Sequence, residues 1–212
     1  MNHGCPEFIV VEGPIGVGKT TLAKKLAETL NTDLLLEQAE DNPFLPRFYA
    51  DPKTAALPTQ LFFLFQRAKQ LESLRQADMF QPVHVSDFLM EKDKLFASVT
   101  LDDEELALYH QVYDRLTLNV PAPDLVIYLQ APVDDLLRRI GERGRDIERP
   151  IKRDYLKKIS DAYVEFFYYY SGSPLLIVNT EDFNFSSNDK NYDLLLEHIY
   201  QLPPGRHFFN PR

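Results

Sequence analysis

The chain has one cysteine, no tryptophan, no long apolar run and a shortage of positive charge. A single cysteine, Cys5, cannot form an internal disulfide, which fits a reducing compartment. No run approaches the ~20 apolar residues that a membrane span needs. The opening Met1-Asn2-His3-Gly4-Cys5 lacks the basic and apolar regions of a signal peptide, so a cytoplasmic protein away from membranes is expected. A net charge of −9 argues against a nucleic-acid partner, which would demand a basic face. The five histidines are scattered without metal-ligand spacing.

What is present is a core and a pattern. Hydrophobic residues make up 44% of 212 residues, enough for one α/β domain over 1–212, with a small lid. Strands are predicted at 7–12, 33–36, 82–87, 124–129 and 174–179. Helices are predicted at 18–30, 54–77, 102–119, 132–143, 152–170 and 190–200. Alternation of this kind implies a parallel five-stranded sheet with helices on both faces. Residues 40–53 hold three prolines and read as a loop with a helical turn. The tail, 201–212, holds three more and reads as irregular.

The strongest motif is Gly13-Pro14-Ile15-Gly16-Val17-Gly18-Lys19-Thr20, which matches G-x-x-x-x-G-K-[ST]. The β-branched run Phe8–Val11 precedes it, and Thr21–Leu30 follows with helical spacing. Strand, glycine loop and helix are the context this phosphate-binding loop requires. The backbone amides and helix N-terminus would cradle phosphates. Lys19 would reach the β- and γ-phosphates of ATP, and the Thr20 hydroxyl would ligate Mg²⁺.

Ligands of parallel α/β sheets gather at the carboxyl ends of strands. Asp87 stands at such an end, placed to hold Mg²⁺; an N-cap is the plainer alternative. Glu37 follows Leu34-Leu35-Leu36, where a carboxylate can take a proton from an attacking hydroxyl. Position alone leaves a solvated loop glutamate equally open. Glu12 leads into the loop and is expected to meet backbone amides only. Gln60 and Arg67 lie seven residues apart on one helix face with Phe63 and Leu64, a surface suited to a nucleobase or simply a half-exposed helix. Arg139, Arg143 and Arg145 belong to a basic stretch in an otherwise acidic chain, and Gly144 allows a lid over about 143–152 to close. The aromatic run at 166–170 is expected to pack in the core.

This set of residues resembles the deoxynucleoside kinase family, from Phe8 to about Ile199, and most closely its bacterial deoxyguanosine/deoxyadenosine kinase members. The resemblance implies a P-loop kinase fold, with ATP and Mg²⁺ as cofactors and a homodimer built on the helices at 54–77 and 102–119. It also implies site roles. Glu37 would be the base, with Lys19 and Arg143 stabilising charge. The donor nucleotide would be held by residues 13–20 (Gly13, Pro14, Ile15, Gly16, Val17, Gly18, Lys19 and Thr20), by Thr21, by Arg139, Arg143 and Arg145, and by Asp182 and Phe183. Tyr49 and Glu148 would meet the sugar 3′-hydroxyl. Gln60, Arg67 and Asp93 would read the base, purine in preference, beside Asp87.

One departure stands out. Many family members have Glu-Arg-Ser or Asp-Arg-Ser where this chain has Asp87-Phe88-Leu89. The missing arginine normally helps hold the catalytic glutamate. Arg143, Lys92 and Lys94 are the candidates to replace it, and the sequence leaves the choice open. A nucleoside monophosphate kinase such as thymidylate kinase is the alternative, weakened because Phe88 cannot hold an acceptor phosphate. A P-loop switch protein would need Asn-Lys-x-Asp, which is absent.

Overall fold

A computed structural model describes residues 6–77, 84–117, 120–181 and 189–210. Six parallel strands run in the order β2-β3-β1-β4-β5-β6. These are β1 (Phe8–Glu12), β2 (Asp33–Leu35), β3 (His84–Ser86), β4 (Leu125–Gln130), β5 (Leu175–Asn179) and β6 (Arg206–Phe209). The helices are α1 (Lys19–Leu30), α2 (Leu45–Ala50), α3 (Pro52–Ala77), α4 (Lys92–Thr100), α5 (Asp103–Leu116), α6 (Val133–Arg143), α7 (Arg153–Tyr169) and α8 (Asp189–Tyr200).

Strand alternation explains why both faces are covered. In β1, Ile9 and Val11 join one buried cluster with Leu22 and Leu26 of α1, while Phe8 and Val10 join another with Tyr163 and Phe167 of α7. Both sets are shielded from water, the pattern of a parallel sheet sandwiched by helices. A third, smaller cluster, with Leu45, Phe48 and Phe63, ties α2 to α3 and touches Ile147 of the lid.

Three elements correct the sequence expectation. The tail is not irregular throughout: Arg206–Phe209 pairs with β5 as a sixth strand, so the sheet has six strands rather than five. Arg206 anchors it by donating from Nη2 to the carbonyls of Phe167 (2.9 Å), Tyr168 (2.8 Å) and Tyr170 (3.2 Å). Residues 45–50 form α2, with Pro46 in its first turn, where the missing N–H costs nothing. α4 was also missed. Its Lys92 and Asp93 are buried. Within the aromatic run Phe167 is buried, but Tyr168 and Tyr169 are exposed. The expected starts and ends at residues 82–83 and 118–119 lie outside the described residues.

Candidate active site at the carboxyl edge of the sheet

The loop after β1 is shaped by glycine. Gly16 has φ +86°, and a Cβ there would meet the Leu136 carbonyl oxygen at 2.9 Å. Only glycine takes both the left-handed backbone and the close approach. Lys19 opens α1 and folds back, donating to the carbonyls of Gly13 (2.7 Å) and Pro14 (3.2 Å). Burial, and next the Lys92 ammonium, pull the Lys19 pKa down. Thr20 donates from Oγ1 to Asp87 Oδ2 at 2.5 Å. The other Asp87 oxygen accepts from the Glu37 backbone N–H at 2.7 Å. Asp87 thus ties the ends of β2 and β3 to the phosphate loop. Burial, and then the Glu37 charge, raise its pKa.

Glu37 lies in a cage of cations. Arg67 of α3 donates from Nε to Glu37 Oε1 at 2.9 Å, and its Nη2 meets the same oxygen. Lys92 Nζ lies 3.2 Å from Glu37 Oε2. Burial pushes the Glu37 carboxyl up, but Arg67 and Lys92 outweigh it and hold the group well below the usual carboxylate range. The backbone is pinned as well: Gln70 donates to the Leu36 carbonyl (3.0 Å) and Gln66 to that of Gln38 (3.2 Å).

A single cavity joins these groups. Its walls include Lys19, Thr20, Glu37, Tyr49, Gln60, Phe63, Arg67, Asp87, Lys92, Phe96 and Tyr163, with Arg143, Arg145, Ile147 and Glu148 from the lid. Phe63 and Phe96 supply apolar faces beside the Gln60 amide. Thr100 gives its hydroxyl proton to the Phe96 carbonyl (2.7 Å), so its oxygen accepts from Gln60 Nε2 (3.2 Å). That contact fixes which way the Gln60 amide points. In the lid, Arg143 donates to Glu148 Oε2 from Nε (3.1 Å) and from Nη2 (2.6 Å). Arg145 reaches Glu40 at 3.5 Å.

The deoxynucleoside kinase family profile matches residues 9–202. The chain belongs to the deoxynucleoside kinase family. Deoxyguanosine kinase of Bacillus subtilis (strain 168) is 37% identical over 203 residues, covering 92% of this chain and 97% of its own length. Deoxyadenosine kinase of Lactobacillus acidophilus is 30% identical over 196 residues, covering 86% and 89%. A solved structure of deoxyadenosine kinase from M. mycoides with bound dATP superposes with a TM-score of 0.77 at 25% identity, covering 90% of this chain and 99% of that one. The chain is therefore a phosphotransferase that acts on deoxynucleosides with an ATP-type donor.

Not every expected deoxynucleoside kinase residue reaches the cavity. Asp93 is fully buried, 2.7 Å from Arg67 Nη1, and is not among the residues that line the cavity. Arg139 is engaged behind the phosphate loop, donating to the Val17 carbonyl (3.4 Å) and to Thr180 Oγ1 (3.1 Å). Thr21 is exposed on α1. Asp182 and Phe183 lie outside the described residues.

Other residues escaped the sequence reading. Glu12 does more than meet amides: besides Gly13 N–H (3.0 Å) and Leu89 N–H (2.6 Å), it accepts from the Tyr163 hydroxyl (2.8 Å). Tyr163 shares the inner face of α7 with Ile159 and Phe167. A tyrosine among such neighbours needs a partner for its hydroxyl, and that was the available signal.

Proposed function

We propose that the chain transfers the γ-phosphoryl group of ATP to the 5′-hydroxyl of a purine deoxynucleoside, with Glu37 as the base. The observation that carries this reading is Glu37 itself, an ionised carboxylate in the same cavity as Lys19 and the phosphate loop. It shares that cavity with Gly16, Lys19 and Thr20 of the phosphate loop. The 5′-hydroxyl proton passes to Glu37 as the oxygen attacks phosphorus and the bond to the ADP leaving group breaks. Lys19 gives up its carbonyl contacts to the donor phosphates. Arg143 and Arg145 exchange their carboxylate partners for the transferring group and exclude water as the lid closes.

Thr20 Oγ1 and Asp87 Oδ2 form an adjacent pair of oxygen donors, the hard ligands that Mg²⁺ takes beside phosphates and water. These two residues would hold Mg²⁺, which would neutralise charge on the donor phosphates. The sugar fits between Tyr49 and Glu148, with Tyr49 braced by an edge contact to Tyr155 at 6.3 Å. The base lies between Phe63 and Phe96 against Gln60 and Arg67. Relatives named deoxyguanosine and deoxyadenosine kinase favour a purine.

Salvage in the cytoplasm as a homodimer completes the reading. Phe65 on α3 and Leu108 on α5 are exposed apolar side chains on the two helices expected to pair, and no helix among the described residues is long and apolar enough to cross a membrane. The test is a coupled assay of ADP release with each of the four deoxynucleosides. Deoxyguanosine or deoxyadenosine should give the highest kcat/KM. A pyrimidine leading both would overturn the purine assignment.

A further inference from the structure

Two carboxylates, Glu12 and Glu37, meet one ammonium inside the protein. Lys92 is 2% exposed, yet it lines the cavity. Its Nζ lies 3.2 Å from Glu37 Oε2 and 3.6 Å from Glu12 Oε2. Glu12 is itself immobile, because two backbone amides and the Tyr163 hydroxyl hold its oxygens. Lys92 is thereby anchored on one side and free to act on the other. The alternatives are occupied elsewhere. Lys94 is half-exposed and pairs with Asp114 at 3.7 Å. Arg143 is bound to Glu148 in the lid. Phe88 is buried in the core, 1% exposed.

We propose that Lys92 is a positioning residue for the transfer, anchored by Glu12, that holds Glu37 Oε2 in line with the acceptor hydroxyl. Glu37 has two oxygens and two cations. Arg67 takes Oε1 and Lys92 takes Oε2, so the carboxylate is restrained at both ends. With Lys92 removed, Oε2 loses its only ion-pair partner among the described residues and the carboxylate can swing about its contact with Arg67. A displacement of about 1 Å at a reacting group can cost on the order of 10²-fold in rate. Lys92 acts on the reaction through Glu37, so substrate affinity should change far less than kcat. The assignment rests on the reading of Glu37 as the base.

The test is a cycle of four proteins: wild type, Lys92→Met, Glu37→Gln and the double variant. Circular dichroism and thermal melts establish folding, and kcat and KM are measured with a deoxynucleoside and ATP. Lys92→Met should lower kcat on the order of 10²-fold with KM nearly unchanged, and Lys92→Arg should recover most of the loss. Adding Lys92→Met to Glu37→Gln should cost little more, because Lys92 acts through the group already replaced. If Lys92→Met fails to fold, Lys92→Met with Glu12→Gln removes the orphaned anchor charge, and that folded variant should be slow in the same way. Wild-type kcat in a folded Lys92 variant overturns the inference, as does full additivity in the cycle. Wild-type kcat in Glu37→Gln instead overturns the reading of Glu37 on which it rests.

Discussion

Asp87 grips the Thr20 hydroxyl with one oxygen, at 2.5 Å, and the backbone N–H of Glu37 with the other, at 2.7 Å. One carboxylate therefore couples the donor side of the cavity to the acceptor side. Asp87→Asn keeps an acceptor for Glu37 N–H but loses the charge that suits a metal. The Mg²⁺ concentration for half-maximal activity should rise roughly ten- to a hundredfold, the scale seen when a metal site loses a supporting group. A magnesium titration at fixed ATP checks this, and an unchanged midpoint would remove Asp87 from the metal site.

Arg67 is 4% exposed and holds two carboxylates, Glu37 and Asp93. Arg67→Met leaves Asp93 buried without an ion-pair partner among the described residues. Breaking a buried pair by removing one partner costs about 3–5 kcal/mol, so the urea midpoint should fall sharply along with activity. The double variant with Asp93→Asn should regain much of the stability, since the orphaned charge is gone. A loss below about 1 kcal/mol, the scale of a surface pair, would contradict this placement.

Much of this framework was legible in the chain. The phosphate loop declares itself because its chemistry depends on local spacing, and Glu37 and Asp87 stood out at strand ends, with the role of Glu37 resting on the family resemblance. Helical periodicity placed Gln60 and Arg67 on one face, and both line the cavity. What the sequence concealed were contacts between distant segments. The sequence left open whether Lys92 takes over from the missing arginine, because its partner Glu37 lies 55 positions away. The sequence shows that Asp93 and Arg67 can pair but not that Asp93 lies off the cavity wall. β6 was hidden by the prolines ahead of it, since four residues pairing at a sheet edge leave little pattern to read.

The Glu37 charge also has a signature in stability. Burial raises its pKa, but Arg67 and Lys92 prevail, so the folded value lies below the ordinary 4.5. A depressed carboxyl stabilises the fold fully above its unfolded pKa and loses that contribution as pH falls through the folded value. The ligand-free protein should therefore hold its urea midpoint, as far as Glu37 is concerned, down to about 4.5 and lose stability below it. Glu37→Gln should show a shallower decline in that acid range. Equal slopes for the two proteins would mean that Glu37 is not held by its cations.

The most direct test of the account is the rate of Glu37→Gln with a saturating purine deoxynucleoside and ATP. Glutamine keeps the volume and most hydrogen bonds but cannot accept the 5′-hydroxyl proton. General base catalysis is worth about 10²–10⁴-fold, so kcat should fall by that order while the deoxynucleoside dissociation constant changes far less. A folded Glu37→Gln enzyme with kcat within about threefold of wild type, far short of that range, would show that the proton goes elsewhere.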